Sequence, residues 1–221
     1  MKAENYVVEE EIVRLSIDDN FIEGYLRIPS DARSVIVFSH GSRSSRHSTR
    51  NKFAAELFNE KSFATLVFDL LTQEEERLDL VAKHLRFNIS FLADRLVLIT
   101  DLLKQNERTR NFDIGYFGSS TGAAAALVAA ANRPDIVHAV VSKGGRPDLA
   151  DEYLNKVKPP VLLVAGGEDT PLIRMNKNAM IKIKAECELE IIPGATRFFE
   201  EPGALQQVAF LARNWFRQHL K

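Results

Sequence analysis

Six short apolar runs, at residues 35–38, 64–68, 114–117, 137–141, 161–165 and 189–192, are strung along this chain with stretches of helical period between them. A strand without polar alternation has to be buried on both faces, which is the condition of a parallel sheet covered by helices above and below. Strand, helix, strand repeated in this way predicts an α/β fold with right-handed crossovers. Leu92, Leu96, Ile99 and Leu103 make one apolar helix stripe, and Leu205, Val208, Ala212 and Trp215 make another after Pro202-Gly203. Ahead of this rhythm, residues 6–17 and 21–28 are rich in β-branched and aromatic side chains and are separated by Asp-Asp-Asn, which predicts an antiparallel hairpin.

Composition narrows the function. The 221 residues carry 29 Lys plus Arg against 30 Asp plus Glu, so the basic excess that neutralises phosphates is missing, and neither nucleic acid nor a membrane surface is an expected partner. The longest apolar run, 123–131, is far short of the ~20 residues that span a bilayer. The N-terminus lacks the apolar core and cleavage pattern of a secretory signal, so a cytoplasmic protein is expected, read as a single domain over 1–221. One cysteine, Cys187, excludes an intrachain disulfide, and the five histidines show no metal-binding spacing. Phosphate-cradling glycine motifs are absent, so no metal and no cofactor are expected.

The chemistry is concentrated in three places. An apolar strand at 114–117 runs into Gly118-Ser119-Ser120-Thr121-Gly122 and then an alanine-rich helix. A strand that turns straight into a helix needs small neighbours around a strained central serine, whose hydroxyl then stands above the sheet. Ser120 is the candidate nucleophile, and the N–H of Thr121, at a helix N-terminus, is a candidate oxyanion donor. The second donor is expected after an earlier strand, where His40-Gly41-Ser42 stands: Ser42 N–H is the candidate, with His40 buttressing the loop. That loop continues through Arg43, Arg46, His47 and Arg50; Arg43, Arg46 and His47 are candidates for binding an anionic group of a small-molecule substrate. The orienting acid is expected just past a later buried strand, at Asp169, with Asp148 as a rival.

Together these pieces resemble the α/β-hydrolase superfamily, in particular its compact dienelactone-hydrolase-like branch, from about Ser34 to the C-terminus. The resemblance implies a three-layer α/β-hydrolase fold with a mostly parallel sheet, the N-terminal hairpin, and minimal or no cap domain. It also implies a nucleophile, an acid and a histidine in that chain order, used on esters, lactones and related acyl compounds. Dienelactone hydrolases proper have cysteine as nucleophile; serine stands here, so that substrate does not carry over. The larger departure is at the base. Where related hydrolases read Gly-Ala-Thr-His, this chain reads Gly194-Ala195-Thr196-Arg197, and a guanidinium offers donors only. His219 lies at the far end of a helix about 25 Å long, too distant to substitute. His47 is a candidate for reaching Ser120 instead.

The expected function is hydrolysis of a small ester, thioester or lactone through a Ser120 acyl-enzyme, with Asp169 as acid and Arg197 at the base position. The alternative is a catalytically impaired relative that binds a small anionic ligand. Relatives of this branch are sometimes joined to a phosphoribosyltransferase domain, and nothing in these residues shows such a module. Residues 72–90 are the least strand-like region, either a small lid or a solvated helix and loop. Cys187 has no nearby base and is expected to be inert. Oligomeric state cannot be read from the sequence.

Overall fold

The computed structural model describes residues 8–17, 19–41 and 45–221. Eight strands form one sheet: β1 (Val8–Ile17), β2 (Asn20–Pro29), β3 (Ser34–Ser39), β4 (Phe63–Phe68), β5 (Asp113–Ser119), β6 (Val137–Lys143), β7 (Val161–Gly166) and β8 (Cys187–Ile192). Their order is β1-β2-β4-β3-β5-β6-β7-β8. The hairpin β1–β2 is antiparallel, pairing Ile17 with Asn20, and β2 runs antiparallel to β4. From β4 to β8 all pairings are parallel. Tyr6 and Val7, read as part of the first strand, lie outside the described residues.

β3, β4 and β7 are buried at every residue, as strands with helices on both faces must be. β8 differs from that expectation. It is the outermost strand, so only one side is paired and one face is partly open; Glu188, Glu190 and Ile191 are exposed. The charges suit an edge, because they discourage pairing with another chain.

Helices α1 (Thr49–Asn59) and α6 (Ala204–His219) cover one face; α3 (Ile89–Gln105), α4 (Thr121–Asn132) and α5 (Thr170–Lys182) cover the other, with a 3₁₀ segment at Pro147–Lys156. The apolar stripe of α3 is buried as its spacing requires, with Leu92, Leu96, Ile99 and Leu103 all in the core. On α6 the buried residues are Ala204, Val208, Ala209, Ala212, Trp215 and Phe216, and Leu205 sits at the margin, half-buried. α4 is buried from Thr121 through Ala130, and its alanines let the helix lie close to the sheet. α2 (Gln73–Ala82) begins with a capping box between Thr72 and Glu75, and a 3₁₀ turn at Leu85–Phe87 follows it. Among the described residues no helix is long and apolar enough to cross a membrane.

Candidate active site

β5 ends at Ser119 and α4 starts at Thr121, leaving Ser120 alone at the turn with φ 52° and ψ −124°. Residues other than glycine are held in such a region only at a cost of about 1–3 kcal/mol. Close packing enforces it. A Cβ at Gly122 would lie 2.2 Å from the Ser39 carbonyl oxygen, and one at Gly41 would lie 2.7 Å from Ser120 Cβ. The result is an exposed serine at the carboxyl ends of the strands. Its own carbonyl is occupied, accepting from the N–H groups of Ala123 and Arg146, each at 3.2 Å. Thr121, as the first helical residue, has an N–H with no acceptor inside the helix. Gly41 N–H donates to Ser119 Oγ at 3.3 Å. Ser42, the expected second donor, lies outside the described residues, as does Arg43.

Asp169 meets the residue at the base position. Its Oδ2 is 2.5 Å from Arg197 Nε, while Oδ1 accepts from Leu172 N–H at 3.1 Å and so caps α5. The carboxylate is buried and the guanidinium is 46% exposed, so the pair opens to solvent on the arginine side only. Asp148 is taken by its neighbour Arg146, with N–O distances of 2.8 and 2.7 Å.

The basic loop is placed differently from the sequence reading. Arg46 turns away from Ser120: its guanidinium pairs with Asp69 and with Glu23, the latter at 2.8 Å, and its N–H also donates to Asp69 at 2.8 Å. His47 packs edge-on against Tyr25 with ring centroids 5.8 Å apart. Both line a hollow shared with Glu10, Tyr25, Arg27, Lys52 and Val67, while Ser120 lines a different one. Two carboxylates at the ends of β2 and β4 explain the capture. His40 joins them, with Nε2 3.3 Å from Asp69 and Nδ1 3.2 Å from the Gly41 carbonyl. Burial alone would raise the Asp69 carboxyl, but hydrogen bonds from His40 and from the backbone and side chain of Arg46 hold it below the ordinary range.

Two hollows meet at Gly41. The larger, about 380 Å³, runs from Thr121 and Gly41 beneath α2, lined by leucines 70, 71, 80 and 92 together with Asp69, Glu76, Asp79 and Arg86. Residues 72–90 therefore form part of its wall. The smaller, about 100 Å³, contains Ser119, Ser120 and Arg197 with Arg50, Asn51 and Lys143. Arg50 is paired with Glu200 at 2.7 Å. Lys143 is 8% exposed and, among the described residues, has no carboxylate partner; its ammonium lies 5.9 Å from the centre of the Phe117 ring. Burial, with the charge of Arg50 adding, pushes its pKa down to about 8. Sequence reading missed this residue, although a lysine closing an apolar run just before Gly144-Gly145 is a readable signal.

The model of the family described as "Dienelactone hydrolase family" matches residues 22–218. The chain belongs to the dienelactone hydrolase family. One solved dienelactone hydrolase, from Anabaena variabilis, is 51% identical, covering 97% of this chain and 99% of that one with a TM-score of 0.94. The structure of Est1E from Butyrivibrio proteoclasticus shares the fold at 17% identity and a TM-score of 0.79, over 94% of this chain and 98% of that one. Two Mycobacterium tuberculosis proteins named "Putative phosphoribosyl transferase" are 50% identical over 199 residues, 90% of this chain and 44% of theirs. The chain thus spans less than half the length of these curated relatives. The family and the fold support a hydrolase.

Within this dienelactone hydrolase family fold, the remaining candidates are inert. Burial and Glu188 push the Cys187 thiol up to about 12, so it is no thiolate nucleophile. His219 stacks on Trp215 with centroids 4.4 Å apart at the end of α6.

Proposed function

We propose that the protein is a serine hydrolase of small ester, thioester or lactone substrates. The observation that carries this reading is Ser120, exposed and left-handed at the turn between β5 and α4, with the Thr121 N–H beside it. Its oxygen would add to the carbonyl carbon, the oxyanion would be received by Thr121 and Ser42, and expulsion of the alcohol, thiol or ring oxygen would leave an acyl-enzyme for water to cleave. The larger hollow suits the acyl portion, since its leucines offer apolar surface next to Thr121. Arg197, held on Asp169, donates only and takes no proton. The phosphoribosyl transferase activity named for the mycobacterial relatives is not part of this reading, because the hydrolase family model spans most of this chain.

A second reading has one observation in its favour: Arg50, Lys143 and Arg197 line the hollow at Ser120, an arrangement suited to a carboxylate or phosphate. On that reading the protein binds a small anionic ligand and turns it over weakly or not at all. Incubation with a fluorophosphonate followed by mapping of the adduct separates the two. Covalent modification at Ser120, lost in Ser120→Ala, is the expected result; equal labelling of both proteins would remove the nucleophile.

A further inference from the structure

We propose that Lys143 is the general base of this site, taking the proton from Ser120 in place of the histidine that position 197 lacks. The inference rests on the serine-hydrolase reading above. A serine hydroxyl is a weak nucleophile until a neighbour accepts its proton, and Arg197 has no acceptor to offer.

Three observations place Lys143 in the role. First, it shares with Ser120 the hollow of about 100 Å³, a space that leaves little room between the groups on its walls. Second, β5 and β6 run parallel with Ser119 paired to Lys143, so the two backbones lie about 4.8 Å apart at that register. The serine is the next residue along, and the four-carbon stem of a lysine is long enough, on a change of rotamer, to span an offset of that size. Third, the surroundings favour the neutral amine. The charged groups facing the hollow are Arg50 from α1 and Arg197 from the loop after β8, both positive. The nearby carboxylates, Glu200 and Asp169, are turned to those two arginines, and among the described residues none lines the hollow. A buried ammonium without a counter-ion loses its proton readily, in keeping with the lowered pKa of about 8. Catalytic bases work best when their ionisation lies near the working pH.

As Ser120 Oγ bonds to the carbonyl carbon, its proton passes to Lys143 Nζ. The ammonium returns that proton to the leaving oxygen or sulfur as the old acyl bond breaks. In the second half a water gives a proton to Nζ while its oxygen adds to the acyl carbon, and the ammonium reprotonates Ser120 as the acyl-enzyme separates. No oxidant, metal or second substrate enters.

The test is the rate of fluorophosphonate modification of Ser120 between about pH 6 and pH 10 in the wild type, Lys143→Met and Lys143→Arg. The wild-type rate is expected to rise with a midpoint near 8, following the amine. Lys143→Met should lose about 100-fold or more at the upper pH and become flat, with methylamine restoring part of the rate. Lys143→Arg keeps the positive charge but cannot accept a proton, so an equal loss there identifies a base and excludes a mere anion contact. Removing an unpaired buried charge leaves Lys143→Met as folded as the parent, which a thermal melt checks. A Lys143→Met protein that labels within about threefold of wild type, with the same pH midpoint, overturns the inference while leaving the serine-hydrolase reading standing. A wild type that does not label at Ser120 at any pH overturns both.

Discussion

The two hollows that meet at Gly41 are built from different kinds of sequence. The larger one takes most of its wall from one continuous stretch, Asp69 to Leu92, and mixes leucines with three carboxylates and one arginine. The smaller one is assembled from the loop after β3, α1, the turn after β5, the end of β6 and the loop after β8, and every charged group lining it is positive. A wall made mostly from one segment depends on how that segment is held in place. A wall made from several distant elements is tied to the fold itself. On the proposed reading, the first hollow takes the acyl group and the second handles the proton.

The largest expected effect lies in the contiguous wall. Asp79 is fully buried and accepts from Leu85 N–H at 2.7 Å and from the Arg86 guanidinium. Asp79→Asn leaves Arg86 without its counter-charge and should cost about 3–5 kcal/mol, read by urea or thermal unfolding. Burial would raise this carboxyl, but Arg86 and the backbone N–H groups of Leu85 and Arg86 hold it below its ordinary value of 3.8. Its contribution is therefore complete above that value and disappears as pH falls further, through the native ionisation. Wild type should lose melting temperature between about pH 5 and pH 2 more steeply than Asp79→Asn; parallel curves would show that this carboxylate does not hold the wall.

An intermediate effect should come from Leu80, which is 64% exposed at the rim of the larger hollow. Leu80→Trp should lower kcat/KM for bulky acyl esters about tenfold relative to acetyl esters, a difference of about 1.4 kcal/mol. Equal losses on both would mean that this hollow does not receive the acyl group.

The smallest effect sharpens the other side. Arg50→Gln removes an exposed ion pair with Glu200, so stability should move by less than about 1 kcal/mol. It also removes the positive charge that helps lower Lys143, so the pH midpoint for Ser120 labelling should move upward. An unmoved midpoint would uncouple the arginine from the proton side.

What sequence made legible follows the same division between local and assembled features. The parallel strands at β3, β4, β5 and β7 were readable because burial on both faces leaves no polar alternation. The serine turn was readable because Gly118, Ser120 and Gly122 are adjacent, and Asp169 meets Arg197 as chain order implies. The edge character of β8 was hidden, since nothing in Leu189 to Ile192 tells which strand comes last in the sheet. The ion pairs of Arg46 were hidden because Asp69 and Glu23, which hold it, are distant in the chain. Lys143 escaped because its burial depends on α1 and on the loop carrying Arg197, each more than fifty residues away in the chain.

One consequence of the φ of 52° at position 120 concerns the history of such a protein. Glycine would sit in that geometry at ease, and the scaffold would be the stabler for it. Folding by itself therefore argues against a side chain at this corner. A serine kept there answers to some demand other than the integrity of the molecule.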